Sequence, residues 1–185
     1  VKMIRDNIAA KGALASRVFM DNDANGTFSA GDQPLADIKF SADGVPIANR
    51  TDEDGLILLT GLETYRPTEV LVDRGSITDP FWIANPEGVR FIPRPGTTEI
   101  FDFPVVSTGE IDGTIYRIWS DGPNAASGVI VQLLLPDGSP YRELKTAYDG
   151  FFLFDFVPPG AYLLRISEEQ LSSLGLSSDK TYDIN

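Results

Sequence analysis

Short apolar runs recur along the chain, each cut off by Gly, Pro, Asn or Asp. In the first half they cover residues 17–20, 37–40, 56–60, 69–73, 89–92 and 99–103; in the second, 113–119, 128–135, 141–146, 150–154 and 161–166. Runs this short and this regularly spaced, rich in Val, Ile, Leu and aromatics, predict the strands of an all-β sandwich. Two stretches read as helices. Residues 2–15 are Ala-rich but carry little apolar face, and in residues 168–174 Leu171 and Leu174 sit three apart before Gly175, a helix-ending residue.

The halves repeat each other. Thr51-Asp52-Glu53-Asp54-Gly55-Leu56-Ile57-Leu58-Leu59 aligns with Thr146-Ala147-Tyr148-Asp149-Gly150-Phe151-Phe152-Leu153-Phe154 at a constant offset of 95 residues. In both, Asp-Gly predicts a tight turn, since Gly accepts φ > 0 without strain, and a strand buried on both faces is expected to follow. An earlier pair also matches, Asp37-Ile38-Lys39-Phe40 with Gly128-Val129-Ile130-Val131. Two copies of one sandwich plan account for this, with the boundary at Ser107-Thr108-Gly109 and domains over residues 1–108 and 109–185. So short a connector, stiffened by Pro104, predicts touching domains at a preferred angle, with Phe103, Val105 and Ile111 in the contact.

Composition removes most other functions. The 185 residues contain no Cys and no His, which excludes disulfides, Cys nucleophiles, Cys/His zinc sites and every Ser-His-Asp arrangement. Fifteen Lys plus Arg against 27 Asp plus Glu leave a net charge of −12, the wrong sign for a phosphate-binding surface, so nucleic acid is not an expected partner. No apolar run approaches the ~20 residues that span a bilayer, and no membrane insertion is expected within this stretch of chain.

One segment carries chemistry: Asp21-Asn22-Asp23-Ala24-Asn25-Gly26-Thr27-Phe28-Ser29-Ala30-Gly31-Asp32. It fits the grammar of a calcium loop, with oxygen ligands at positions 1, 3 and 5, Gly at 6, a carbonyl at 7 and a carboxylate at 12. Asp21, Asp23 and Asn25 alternate toward one point, Gly26 turns the chain, Thr27 offers its carbonyl, and Asp32 closes the far side. Ser29 at position 9 is placed to act directly or through a water. The same residue types also build solvated acidic turns, which is the competing reading. A calmodulin-like helix pair is not expected, because residues 17–20 read as a strand and Gln33-Pro34-Leu35 blocks a helix.

Val18-Phe19-Met20-Asp21-Asn22-Asp23-Ala24-Asn25-Gly26, then Gly31-Asp32-Gln33-Pro34-Leu35, Ile38-Lys39-Phe40 and Thr51-Asp52-Glu53-Asp54-Gly55, resemble the B-type domain of serine-aspartate-repeat surface proteins (SdrD B-like) over roughly residues 12–106. The resemblance implies a calcium loop that rigidifies a β-sandwich used as a stalk in large bacterial surface proteins. Two positions depart from it: Asp37 stands where Gly is usual, and Ser29 where an acidic residue is usual. Asp37 could add an oxygen near the ion, and Ser29 would weaken binding.

Residues 110–166 resemble the carboxypeptidase-regulatory or transthyretin-like relatives of the same sandwich. The carriers are Gly113-Thr114-Ile115-Tyr116, Gly128-Val129-Ile130-Val131, Thr146 to Phe152, and Val157-Pro158-Pro159-Gly160-Ala161-Tyr162. Asp121-Gly122-Pro123-Asn124 takes the place of the calcium loop without its ligand spacing, so no ion is expected there. Related collagen-adhesin B-type domains sometimes carry an internal Lys-Asn isopeptide bond, but Lys39 alternates with Ile38 and Phe40 and should face water if they face the core.

Together these readings imply two tandem immunoglobulin-like or transthyretin-like sandwiches, the first one calcium-loaded. The expected role is a non-catalytic stalk or spacer beside neighbouring domains of a larger parent chain. Its location would be extracytoplasmic, at a bacterial cell surface or outer membrane. The alternative is an adhesin module that binds a glycan or protein, with Phe81-Trp82 or Tyr116 and Trp119 as a stacking platform. No nucleophile elbow, phosphate loop or dinucleotide fingerprint is present, and no enzyme activity is expected.

Overall fold

The computed structural model describes residues 10–178 and 180–185. The chain is mostly β and divides into two compact units, one ending at Ser107 and the other starting at Thr108.

The first unit contains β1 (Gly12–Met20), β2 (Gln33–Pro34), β3 (Lys39–Ala42), β4 (Val45–Arg50), β5 (Leu56–Leu62), β6 (Thr68–Val72), β7 (Trp82–Ala84), β8 (Gly88–Phe91), β9 (Thr98–Ile100) and β10 (Phe103–Ser107). β1 is its spine. One edge pairs antiparallel with β5 and then β2; the other pairs in parallel with β9 and then β10, which in turn pairs with β7. A second sheet runs β4-β3-β6-β8. Inward residues of both sheets, including Leu14, Val18, Phe40, Leu59, Val70, Phe103 and Val105, form one apolar core.

The helix expected over residues 2–15 is not formed where it can be seen. Residues 1–9 lie outside the described residues, and from Gly12 onward the chain is β1. Ala13 and Ala15 suggest a helix by propensity, yet they alternate with buried Gly12, Leu14 and Ser16, a period of two that suits a strand. Gly12 also lies so close to Pro93 that a Cβ there would meet the proline Cβ at 2.5 Å.

The second unit contains β11 (Gly109–Thr114), β12 (Tyr116–Trp119), β13 (Gly122–Ala125), β14 (Ile130–Leu134), β15 (Pro140–Lys145), β16 (Phe151–Val157), β17 (Tyr162–Ile166), α1 (Glu168–Ser173) and β18 (Tyr182–Ile184). The helix expected at residues 168–174 is α1, capped by the Ser167 side chain and followed by Gly175 at φ +64.

The repeat extends to individual pairings. Leu14 opposite Leu59 becomes Ile111 opposite Phe154, Phe19 opposite Pro34 becomes Tyr116 opposite Ala125, and Lys39 opposite Arg50 becomes Ile130 opposite Lys145. Even the register shift at the start of β1, between Gly12 and Ala13, returns between Gly109 and Ile111. Phe40 opposite Val72 becomes Val131 opposite Ile166, and Val70 opposite Val89 becomes Leu164 opposite Tyr182.

Two further expectations are corrected. β5 and β16 are not buried on both faces: Ile57, Leu59, Phe152 and Phe154 are buried, whereas Leu56, Leu58, Phe151 and Leu153 are exposed, because a second layer covers only one side. Phe103 and Val105, expected at a contact between domains, are fully buried core residues of the first unit, and Ile111 packs on the core of the second.

Candidate metal centre

β1 ends at Met20, and the next residue begins the acidic loop. The Asp21 amide donates to Val105 O at 2.8 Å, so the loop starts from a point fixed by β10. Phe28, from the far arm, packs edge-on against buried Phe19 at 5.3 Å between centroids, and the Arg17 guanidinium lies 4.2 Å from the same Phe28 ring. These contacts, worth roughly 0.5–1.5 kcal/mol for the aromatic pair, bring both arms back onto β1.

Carboxylate oxygens of Asp21, Asp23 and Asp32 lie within 4.8 Å of one another, and this cluster could hold a metal ion. Asp21 is buried, Asp32 half-buried and Asp23 exposed. Like charges at this distance repel by ~1 kcal/mol per pair even at the dielectric of water. Backbone donors offset this. Asp21 accepts from the Asn25 amide at 3.2 Å and the Gly26 amide at 2.8 Å; Asp32 accepts from the Asn22 amide at 3.0 Å and the Ser29 amide at 2.7 Å. The Ser29 amide is the main influence holding the Asp32 carboxyl below its ordinary range; desolvation pushes up by less, and the Asn22 amide and Ser29 hydroxyl add smaller downward pulls. Gly26 at φ +77 and Gly31 at φ +111 supply left-handed turns that a side chain would strain.

Of the five expected ligands, the three carboxylates are brought together. Asn25 sits beside them, but its Oδ1 accepts from the Thr27 amide at 2.7 Å and hydroxyl at 2.5 Å, while its Nδ2 donates to Asp23 at 2.7 Å. Thr27 follows Asn25 in the same turn. Ser29 acts on Asp32 rather than on the centre of the cluster, through its amide and, at 3.2 Å, its hydroxyl. Asp37 is not in the cluster: it is exposed and holds φ +62, as Gly128 holds φ +71 at the matching position, which explains why that place suits Gly.

Sequence reasoning missed the residues that hold the loop's surroundings in place. Thr51 is buried, and its hydroxyl donates to Leu35 O at 2.7 Å; Thr146 repeats this with Ala126 O at 2.6 Å. The signal was the alignment itself, which placed Thr at both positions. Elsewhere, Trp82 packs on the first core while Phe81 is exposed. Tyr116 and Trp119 are exposed, with the Arg117 guanidinium 5.3 Å from the Trp119 ring. Ser120 and Asp121 form the hairpin turn between β12 and β13, with Gly122 opening β13, and Lys39 is half-buried between buried Ile38 and Phe40.

No helix among the described residues is long and apolar enough to cross a membrane. No family model matches the sequence, and no curated protein matches it. Among solved structures, the Bacillus anthracis TIE protein is similar at 13% identity and a TM-score of 0.40, covering 95% of this chain; the chain spans 31% of that protein. GBS52, the minor pilin of Streptococcus agalactiae, is similar at 12% identity and a TM-score of 0.36, covering 85% of this chain and 83% of its own. The shaft pilin SpaA of Lactobacillus rhamnosus GG is similar at 10% identity and a TM-score of 0.37, covering 94% and 92%.

Proposed function

We propose that this chain is a calcium-stabilised, non-catalytic spacer of a larger exported bacterial surface protein, built of two tandem immunoglobulin-like or transthyretin-like sandwiches over residues 1–108 and 109–185. The observation that carries the reading is the convergence of Asp21, Asp23 and Asp32 on one point at the end of β1. The donors are all oxygen and three are carboxylates, a set that suits a hard cation of calcium's kind. Asp21, Asp23, Asp32, the Asn25 side chain and the Thr27 carbonyl would hold the ion; Asn25 Oδ1 would give up its Thr27 donors to do so. Bound calcium would cancel the carboxylate repulsion and tie the loop's two arms together beside Val105. The loop's position on the spine of the first unit suits a structural rather than a switching ion.

Calorimetric calcium titration tests this. A saturable site removed by Asp21→Ala supports it; no bound calcium at millimolar concentration overturns it. The second reading, a glycan- or protein-binding module, draws on the exposure of Tyr116 and Trp119. Glycan-array binding lost in Trp119→Ala would favour it.

A further inference from the structure

The repeat leaves one strand position unmatched. In the first unit, residues 98–107 add in parallel to the edge of β1 opposite β5: Ala13 faces Thr98 and Val18 faces Phe103. The amide of Ala13 donates to Thr97 O, just before this segment, and those of Arg17 and Asp21 donate to it at the Asp102 carboxylate and Val105 O. Their counterparts in the second unit are the amides of Glu110, Thr114 and Ile118. Among the described residues, β11 pairs only with β16 and β12 only with β13, so no strand lies along that edge.

The surrounding side chains register the same gap. Val18 and Phe19 are fully buried, whereas Ile115 is half-buried and Tyr116 is 58% exposed. Leu14 and Val70 are buried, while Ile111 and Leu164 are only half-buried. Beside the open edge lie two grooves of about 380 and 420 Å³ with mixed walls: Ile115, Ile118 and Ile166 line both and Leu164 the larger, next to polar Ser177 and Ser178. In the first unit Phe103 and Val105 fill the corresponding core.

We propose that the edge of β11 and β12 is a strand-acceptor site, and that its occupant is polypeptide following β18, entering parallel to β11. The register selects this occupant. β18 lies on β17 as β8 lies on β6, and in the first unit residues 92–97 lead from β8 directly into the inserted strand. The chemistry required is an extended run with apolar residues on its inward face, as Phe103 and Val105 supply, preceded by a side-chain acceptor for the Thr114 amide, as Asp102 supplies for Arg17. Backbone hydrogen bonds would give the affinity and the grooves the choice of side chains.

Amide hydrogen exchange on the parent polypeptide of natural length and on the 185-residue chain tests this. In the parent, Glu110, Thr114 and Ile118 should exchange slower by a factor on the order of ten or more. Thr114 pairs with Phe151 of β16, but the Ile115 amide is the one that donates to Gly150 O, so the Thr114 amide points to the open edge. Thr114→Pro removes that outward donor and should lower the melting temperature of the second unit by more in the parent than in the 185-residue chain. Equal exchange in the two chains, or an equal melting change, overturns the proposal. So does protection that rises with the concentration of the 185-residue chain, which would assign the edge to a second copy.

Discussion

Thr51 and Ile38 are held together by two hydrogen bonds: the Ile38 amide donates to Thr51 Oγ1 at 2.9 Å, and the Thr51 amide donates to Ile38 O at 3.1 Å. Thr146 and Val129 repeat the pair at 3.0 and 2.9 Å. Each hydroxyl also donates to a carbonyl, so Thr→Val keeps the shape and orphans a buried amide and a carbonyl. Thr51→Val should destabilise the first unit by about 1–3 kcal/mol, and Thr146→Val the second by a similar amount. Denaturant unfolding followed through Trp82 for one unit and Trp119 for the other checks this, and each variant should leave the other unit's transition where it was.

Calcium removal should act on one unit alone. At free calcium ~100-fold above the dissociation constant, linkage adds about 2.7 kcal/mol to the native state, a large share of a small domain's stability. Chelation should therefore lower the melting temperature of the first unit and leave the second nearly unchanged, and Asp21→Ala should reproduce the chelated profile. Scanning calorimetry with calcium and with excess chelator reads both.

In calcium-free protein, Asp32 predicts an acid limb. Its folded-state pKa lies below the ordinary 3.8, so the native state takes up this proton less readily than the unfolded chain. The carboxylate therefore supports the fold fully above that value, and the support is lost as pH falls through the lowered one. Ser29→Ala removes the hydroxyl but keeps the amide donor, so the midpoint should move only part of the way back. An NMR titration of the Asp32 carboxyl checks this; a midpoint at or above 3.8 in the unsubstituted protein contradicts it.

Gly55 and Gly26 separate two costs of a side chain. Both hold positive φ, +72 and +77, but a Cβ on Gly55 would meet Val18 O at 2.4 Å, whereas one on Gly26 meets nothing within 4 Å. Gly26→Ala should cost only the roughly 1–2 kcal/mol of a left-handed Ala. Gly55→Ala should cost clearly more, as should Gly150→Ala, whose Cβ would meet Ile115 O at 2.5 Å. Chemical denaturation of the three variants ranks them.

The acidic cluster was readable because it is encoded by spacing: Asp21, Asp23 and Asp32 lie in one short loop and need no distant partner to be brought together, as the structure brings them. Strand positions in β3, β5, β14 and β17 were readable from apolar runs. What escaped was set by partners far along the chain. β2 is two residues long and exists because Phe19 and Met20 lie beside it. Residues 99–103 read as one strand, but Phe101 and Asp102 interrupt it as the chain passes from β9 to β10. The alanines beside Leu14 favour a helix locally, and the sheet that overrides them is assembled from residues 56–62 and 98–100.

The parallel pairing of β1 with β10 has a mechanical meaning. The first and last strands of the unit run side by side in the same direction, with Val18 opposite Phe103 and Met20 opposite Val105. The chain therefore enters the pair at one end and leaves it at the other. Tension along the polypeptide would load these hydrogen bonds together in shear instead of opening them one by one like a zipper. The acidic loop begins at the very residue, Asp21, that bonds Val105, so an ion bound there would sit where the pulled strand would first have to slip.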